Sequence, residues 1–173
     1  MEVGRLAVRA VIGTLFIGHG TQKLFGWFDG PGLEGTDGMM NSLGMRPARR
    51  NSLAAGITET AGGTMLALGL ATPLASAGLI GIMITAIRKV HLSNGPWVSK
   101  GGYEYNVVLI AGLLALAEAG PGDLSVDSAL GWDWSGTASA LAALGVGAAV
   151  STAVIAAGQR ASAAAESKEP AEG

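Results

Sequence analysis

The chain has 173 residues, of which 49% are hydrophobic and only 14% charged, and its formal net charge is −2. That balance leaves no basic stripe for nucleic acid, and the lack of cysteine excludes disulfides, thiol nucleophiles and Cys-ligated clusters. The 28 glycines, with abundant alanine, suit helices that pack closely through small residues.

Five stretches are apolar enough to cross a bilayer, near 6–25, 52–70, 73–90, 103–119 and 137–158, given that a spanning helix needs about 20 such residues. Met1-Glu-Val-Gly-Arg5 is a poor signal-peptide start and no small-residue cleavage site follows, so the first stretch reads as a retained helix. The connection 26–50 is long and glycine-rich. Within it Asp37 is expected to cap a short helix through Met39, Met40 and Leu43 that ends at Gly44 before Pro47. The apolar side of that helix would lie in the interface or fold back onto the bundle. Asn94-Gly95-Pro96 marks a turn after the third stretch. The connection 120–136 is acidic, with Asp123, Asp127 and Asp133 beside Trp132 and Trp134, which suit an interfacial aromatic belt. The fifth stretch is mostly Ala, Gly, Ser and Thr, and a helix lying on the surface is its alternative reading.

The fold class is therefore an all-α integral membrane four-helix bundle, residues 1–130, with a fifth transmembrane helix in 131–159 and a disordered cytoplasmic tail in 160–173. A soluble all-α core is the alternative that this composition disfavours. Orientation follows from basic residues, which stay in the cytoplasm. Lys23, Arg46, Arg49, Arg50, Arg88, Lys89, Lys100, Arg160 and Lys168 border one side, against Arg5 and Arg9 on the other. The N-terminus is thus expected outside and the C-terminus inside, across the bacterial inner membrane.

Ionisable groups within spans are costly and usually face a bundle interior or a wet cavity. His19, Gln22 and Lys23 stand at i, i+3 and i+4 on one face of the first helix. Glu59 lies about two turns inside the second, among Gly56, Gly62 and Gly63, and needs a cation such as Lys23, Arg88 or His19. Arg88 and His91 end the third helix and Glu104 opens the fourth, so all these groups are expected at one end, around a shared site. Arg5, Arg9 and Lys89 read as snorkelling anchors, Glu118 as solvated, and Arg46, Arg49 and Arg50 as topology determinants.

Several motifs resemble the DoxX family: His19-Gly-Thr-Gln-Lys-Leu-Phe-Gly26, Ser42-Leu-Gly44 leading to Pro47, Glu59 followed by Gly62-Gly63, and Leu68-Gly-Leu-Ala-Thr-Pro73. His91, Gly101-Gly-Tyr-Glu-Tyr105 and Gly120-Pro-Gly-Asp-Leu-Ser-Val-Asp127 continue the likeness, which covers about residues 4–130. DoxX-like proteins are small bacterial membrane proteins, named after a subunit of a thiosulfate:quinone oxidoreductase. Some relatives are linked to complexes that handle oxidative and thiol stress. The resemblance implies a membrane helical bundle and a link to redox chemistry.

Two functions compete. In the first, the protein is a membrane redox component that binds quinone or supports a partner oxidoreductase. Glu59, His19 and Glu104 would then carry the proton chemistry, and Gln22, Lys23, Arg88 and His91 would hold the head group. No dinucleotide-binding motif is present, so electrons from a soluble donor would need another subunit. Haem on His19 and His91 is a disfavoured variant, and no metal site is assigned. In the second, the bundle is a non-enzymatic scaffold or a small-solute transporter; a helix broken near Gly62-Gly63 would favour transport. A co-purifying oxidoreductase or bound quinone would favour the first, and an empty homo-oligomer the second.

Overall fold

The computed structural model describes residues 2–167, and the regular structure among them is entirely helical. Five long helices, α1 (Glu2–Phe25), α3 (Ala48–Leu68), α4 (Thr72–Ala86), α5 (Glu104–Ala119) and α7 (Thr137–Glu166), make the bundle. Two shorter ones, α2 (Gly32–Ser42) and α6 (Val126–Ala129), lie in the connections. Past Ala86 the chain continues as a π turn, Ile87–His91, and a 3₁₀ turn, Leu92–Asn94. Two stretches, Thr72–Asn94 and Thr137–Ala165, are long and apolar enough by themselves to cross a membrane.

α4 is central, packed against α3, α5 and α7, while α1 lies along α3. Leu79 and Ile80 of α4 are fully buried with Phe16, Leu66 and Leu113. Glycine sets the α1–α3 distance. A Cβ on Gly63 would sit 2.6 Å from the Gly13 carbonyl oxygen, and one on Gly13 the same distance from that of Gly63. α3 runs unbroken through Gly62-Gly63, so these glycines allow close approach and do not interrupt the helix.

At the end made by the α3–α4 and α5–α7 connections, two buried charges tie the loops together. Arg9, expected as an exposed anchor, is 1% exposed. It donates to the Ala67 carbonyl at 3.1 Å, the Leu124 carbonyl at 2.6 Å and the Pro121 carbonyl. Asp127 accepts from the Ala71 and Thr72 amides at 2.7 and 3.0 Å and from the Thr72 hydroxyl at 3.0 Å, capping α4 from a distant part of the chain. Gly69 makes the crossing possible, because its φ is +65° and a side chain there would meet Arg9.

Two expectations about the connections are corrected. α2 begins at Gly32, after Pro31, and Asp37 lies inside it and pairs with Arg49 at 3.2 Å. The glycine-rich turn reverses the chain earlier than Asp37 requires; Gly44, with φ +66°, ends the helix as expected. α7 continues through 161–166, where disorder was expected, since alanine is the best helix former. Residues 168–173 of the expected tail lie outside the described residues.

Candidate functional site

The opposite end of the bundle contains the cluster of ionisable groups. Gly20 of α1 rides on Gly56 of α3, where a Cβ would stand 2.7 Å from the Gly56 carbonyl oxygen. That approach brings the next turn of α1 against Glu59. Lys23 Nζ reaches Glu59 Oε2 at 2.6 Å, the lysine side chain 20% exposed and the carboxylate 3%. A charge-assisted bond this short, from a half-buried lysine to a buried carboxylate, holds both side chains.

His19 is held from its own helix. Gln22 Nε2 donates to the Phe28 carbonyl at 3.3 Å. Oε1 therefore faces His19 and accepts from Nδ1–H at 3.2 Å. His91, at the end of the π turn, donates through Nδ1 to the Gly101 carbonyl at 2.7 Å, since a carbonyl can only accept. Both rings thus hold their proton on Nδ1 and leave Nε2 for another partner.

These groups border a cavity of about 560 Å³. His19, Lys23, Glu59 and His91 line it, so four of the seven expected site residues converge. Gln22, Arg88 and Glu104 do not line it. Gln22 only orients His19. Arg88 turns to the Thr152 hydroxyl of α7 at 3.0 Å, on the outer side of the π turn. Glu104 accepts from the Val98 amide at 2.7 Å and fixes the loop before α5. Its place at the helix start serves the loop's backbone, while the deeper wall goes to Asn106, two residues on and across the helix. Glu118, at the other end, accepts from the Thr137 hydroxyl at 2.8 Å.

Sequence reading missed several wall residues. Asn106 is 5% exposed and donates to Met83 Sδ at 3.4 Å. Met45 joins Met39 and Met40, whose helix folds back onto the bundle as one of its two expected placements, to close the cavity on the α2 side. Lys89, expected as a snorkelling anchor, is half-buried in its wall. The burst of polar residues at the start of α5 was the available signal for Asn106; nothing local marked Lys89.

Comparison with known proteins agrees with this framework. Residues 4–92 match the DoxX family model. A Bacillus subtilis (strain 168) protein named "Putative oxidoreductase CatD" is 30% identical over 115 residues, covering 66% of this chain and 79% of that one. The chain belongs to the DoxX family. Family membership and the apolar helices make it a membrane protein. No solved structure matches the chain. Within the matched residues 4–92, the His19–Gly26 stretch and Glu59 meet at the cavity, whereas the Gly120–Asp127 stretch, beyond that match, builds the far end.

Proposed function

We propose that the protein is a membrane component of a redox system, with the cavity taking the head group of a quinone in support of a partner oxidoreductase. The observation that carries this reading is the Lys23–Glu59 pair, buried in the wall of a mainly apolar cavity. About 560 Å³ falls within the roughly 300–1,000 Å³ typical of small-molecule sites. Leu15, Val90, Val98 and Tyr105 line the cavity and are also exposed, so its mouth is suited to acyl chains more than to water. An apolar mouth over a polar wall matches a molecule with a polar head and a hydrocarbon tail. The name borne by the Bacillus subtilis relative agrees with a redox setting.

The chain's own groups divide the work. Quinone supplies the two-electron chemistry. Lys23 offers an ammonium donor to a carbonyl oxygen, and His19 Nε2 can accept a proton from a hydroxyl or return it. Glu59 holds Lys23 in place and balances its charge.

The same reading places five spans in the bacterial inner membrane, N-terminus outside and C-terminus in the cytoplasm. Exposed Trp27 and Trp97 flank the cavity end, and exposed Trp132 and Trp134 the other, as interfacial belts do. Arg9 and Lys23, the charges deepest in α1, have internal partners, as hydrocarbon requires.

Titration of the purified protein in lipid nanodiscs with a short-chain menaquinone tests the site. Saturable binding that weakens at least tenfold in a Lys23→Met/Glu59→Leu double variant is expected. No saturable binding by the native protein would leave the scaffold reading in its place.

A further inference from the structure

Charges around the cavity do not balance. Two lysines line it, Lys23 and Lys89, against a single carboxylate, Glu59. Lys23 is matched to that carboxylate at 2.6 Å. Lys89 is not: among the described residues its ammonium meets no carboxylate and donates to no acceptor. The π turn sends neighbouring cations different ways, Arg88 to Thr152 of α7 and Lys89 into the cavity wall. Tyr105 also lines the cavity, and among the described residues its hydroxyl has no protein partner.

A lysine half-buried in a mainly apolar wall gains when a counter-charge approaches its ammonium. Glu59 pairs with Lys23 and makes no ion pair with Lys89. A ligand carrying one negative charge would supply that counter-charge, and Tyr105, which lines the same cavity, offers a further donor.

We infer that the cavity binds an amphipathic monoanion, its charged oxygen held by Lys89 and Tyr105 and its apolar body lying against Met39, Met40, Met83 and Leu109. This deepens the reading of the cavity as a ligand site. The shared chemistry is an ionised oxygen on a hydrocarbon body, which an acidic hydroxyquinone or a fatty carboxylate would each provide.

Three probes separate these possibilities in phosphatidylcholine nanodiscs: a 2-hydroxy-3-alkyl-1,4-naphthoquinone, ionised at neutral pH, its uncharged O-methyl ether, and laurate. The native protein should bind the hydroxy form about tenfold or more tightly than the ether, the scale of one charge-assisted hydrogen bond. Lys89→Gln should bring the hydroxy form down to the affinity of the ether, with an unaltered thermal unfolding temperature showing that the variant is folded; Lys89→Arg should keep the preference. Equal affinity of the native protein for the two naphthoquinones, or a preference that survives Lys89→Gln, overturns the anion and leaves the quinone reading standing. Lys89-dependent binding of laurate with no binding of either naphthoquinone supports the anion and removes the quinone. Binding of none of the three removes both.

Discussion

Arg9 and Glu59 are both almost wholly buried, at 1% and 3% exposure, yet they are accommodated in different ways. Arg9 is bonded to backbone carbonyls of the last turn of α3 and of the α5–α6 connection, and Asp127 to backbone amides and one hydroxyl. Such partners cannot rotate away, so the charges at that end are locked into the fold. Glu59 bonds to another side chain, and the pair borders a cavity. A side-chain pair can be loosened by a ligand at the cost of rotamer changes alone. Burial is equal; availability is not, and that distinction sets the cavity end apart as the candidate ligand site.

Removing a charge at the locked end is the severest test. Arg9→Met buries an apolar side chain in place of a guanidinium and strips donors from three part-buried carbonyls, each unsatisfied group costing about 1–3 kcal/mol where water cannot replace the donor. Loss of about 3 kcal/mol or more is expected, read as a collapse of membrane abundance and of the thermal unfolding temperature in detergent. Asp127→Ala should act similarly by freeing the Ala71 and Thr72 amides. An Arg9→Met protein that unfolds within a few degrees of the native one would dissolve the contrast between the ends.

The contact joining the two ends comes next. Gly63→Ala places a methyl against the Gly13 carbonyl, where neither helix backbone can yield, and should cost about 1–3 kcal/mol. Gly18→Ala on the same α1 helix meets nothing within 4 Å and should be neutral or slightly stabilising. Equal unfolding temperatures for the two variants would show that α1 and α3 tolerate separation.

How far sequence reveals each end follows from the range of its interactions. Long apolar stretches give the helices directly, and His19, Gln22 and Lys23 declare a shared face by their spacing. Glu59 among glycines was legible as a buried carboxylate needing a cation, and Lys23 is that cation. Arg9 was misread because its partners lie 58, 112 and 115 residues away, on carbonyls that no side-chain pattern announces. Glu104 and Arg88 drew attention by charge, but a helix start and a π turn direct them to Val98 and Thr152. Period-3.6 reasoning fails at such a turn, because the extra residue rotates every following side chain.

At the cavity end, function should suffer before stability. Glu59→Gln keeps the hydrogen-bonding shape without the charge. The variant is expected at normal membrane abundance, with at least a tenfold loss of activity in a strain where the native gene rescues an oxidative-stress phenotype. Replacing both partners, as in Lys23→Met/Glu59→Leu, should leave stability unchanged or slightly raised, since apolar substitutes avoid the desolvation of two ions. Full rescue by Glu59→Gln at normal abundance would make the pair a strut, like Arg9, and put the scaffold function ahead.

The smallest effect belongs to the Asp37–Arg49 pair between α2 and α3. Arg49 is 55% exposed, and water screens such pairs to within about 1 kcal/mol. α2 is held instead by Met40, buried against Met45 and Ala55, and by Thr36, whose hydroxyl approaches the Gly32 and Lys23 carbonyls at 2.7 and 3.3 Å. Arg49→Gln should therefore leave the unfolding temperature unchanged. Hydrogen exchange of residues 32–42 should quicken a few-fold, while α1 and α3 keep their protection, because only the outer edge of the cavity cover is released. A large loss of stability from Arg49→Gln would mean that the cavity end depends on a charge for folding as the Arg9 end does. Unchanged exchange would assign the whole hold on α2 to Met40 and Thr36, leaving the cover fixed.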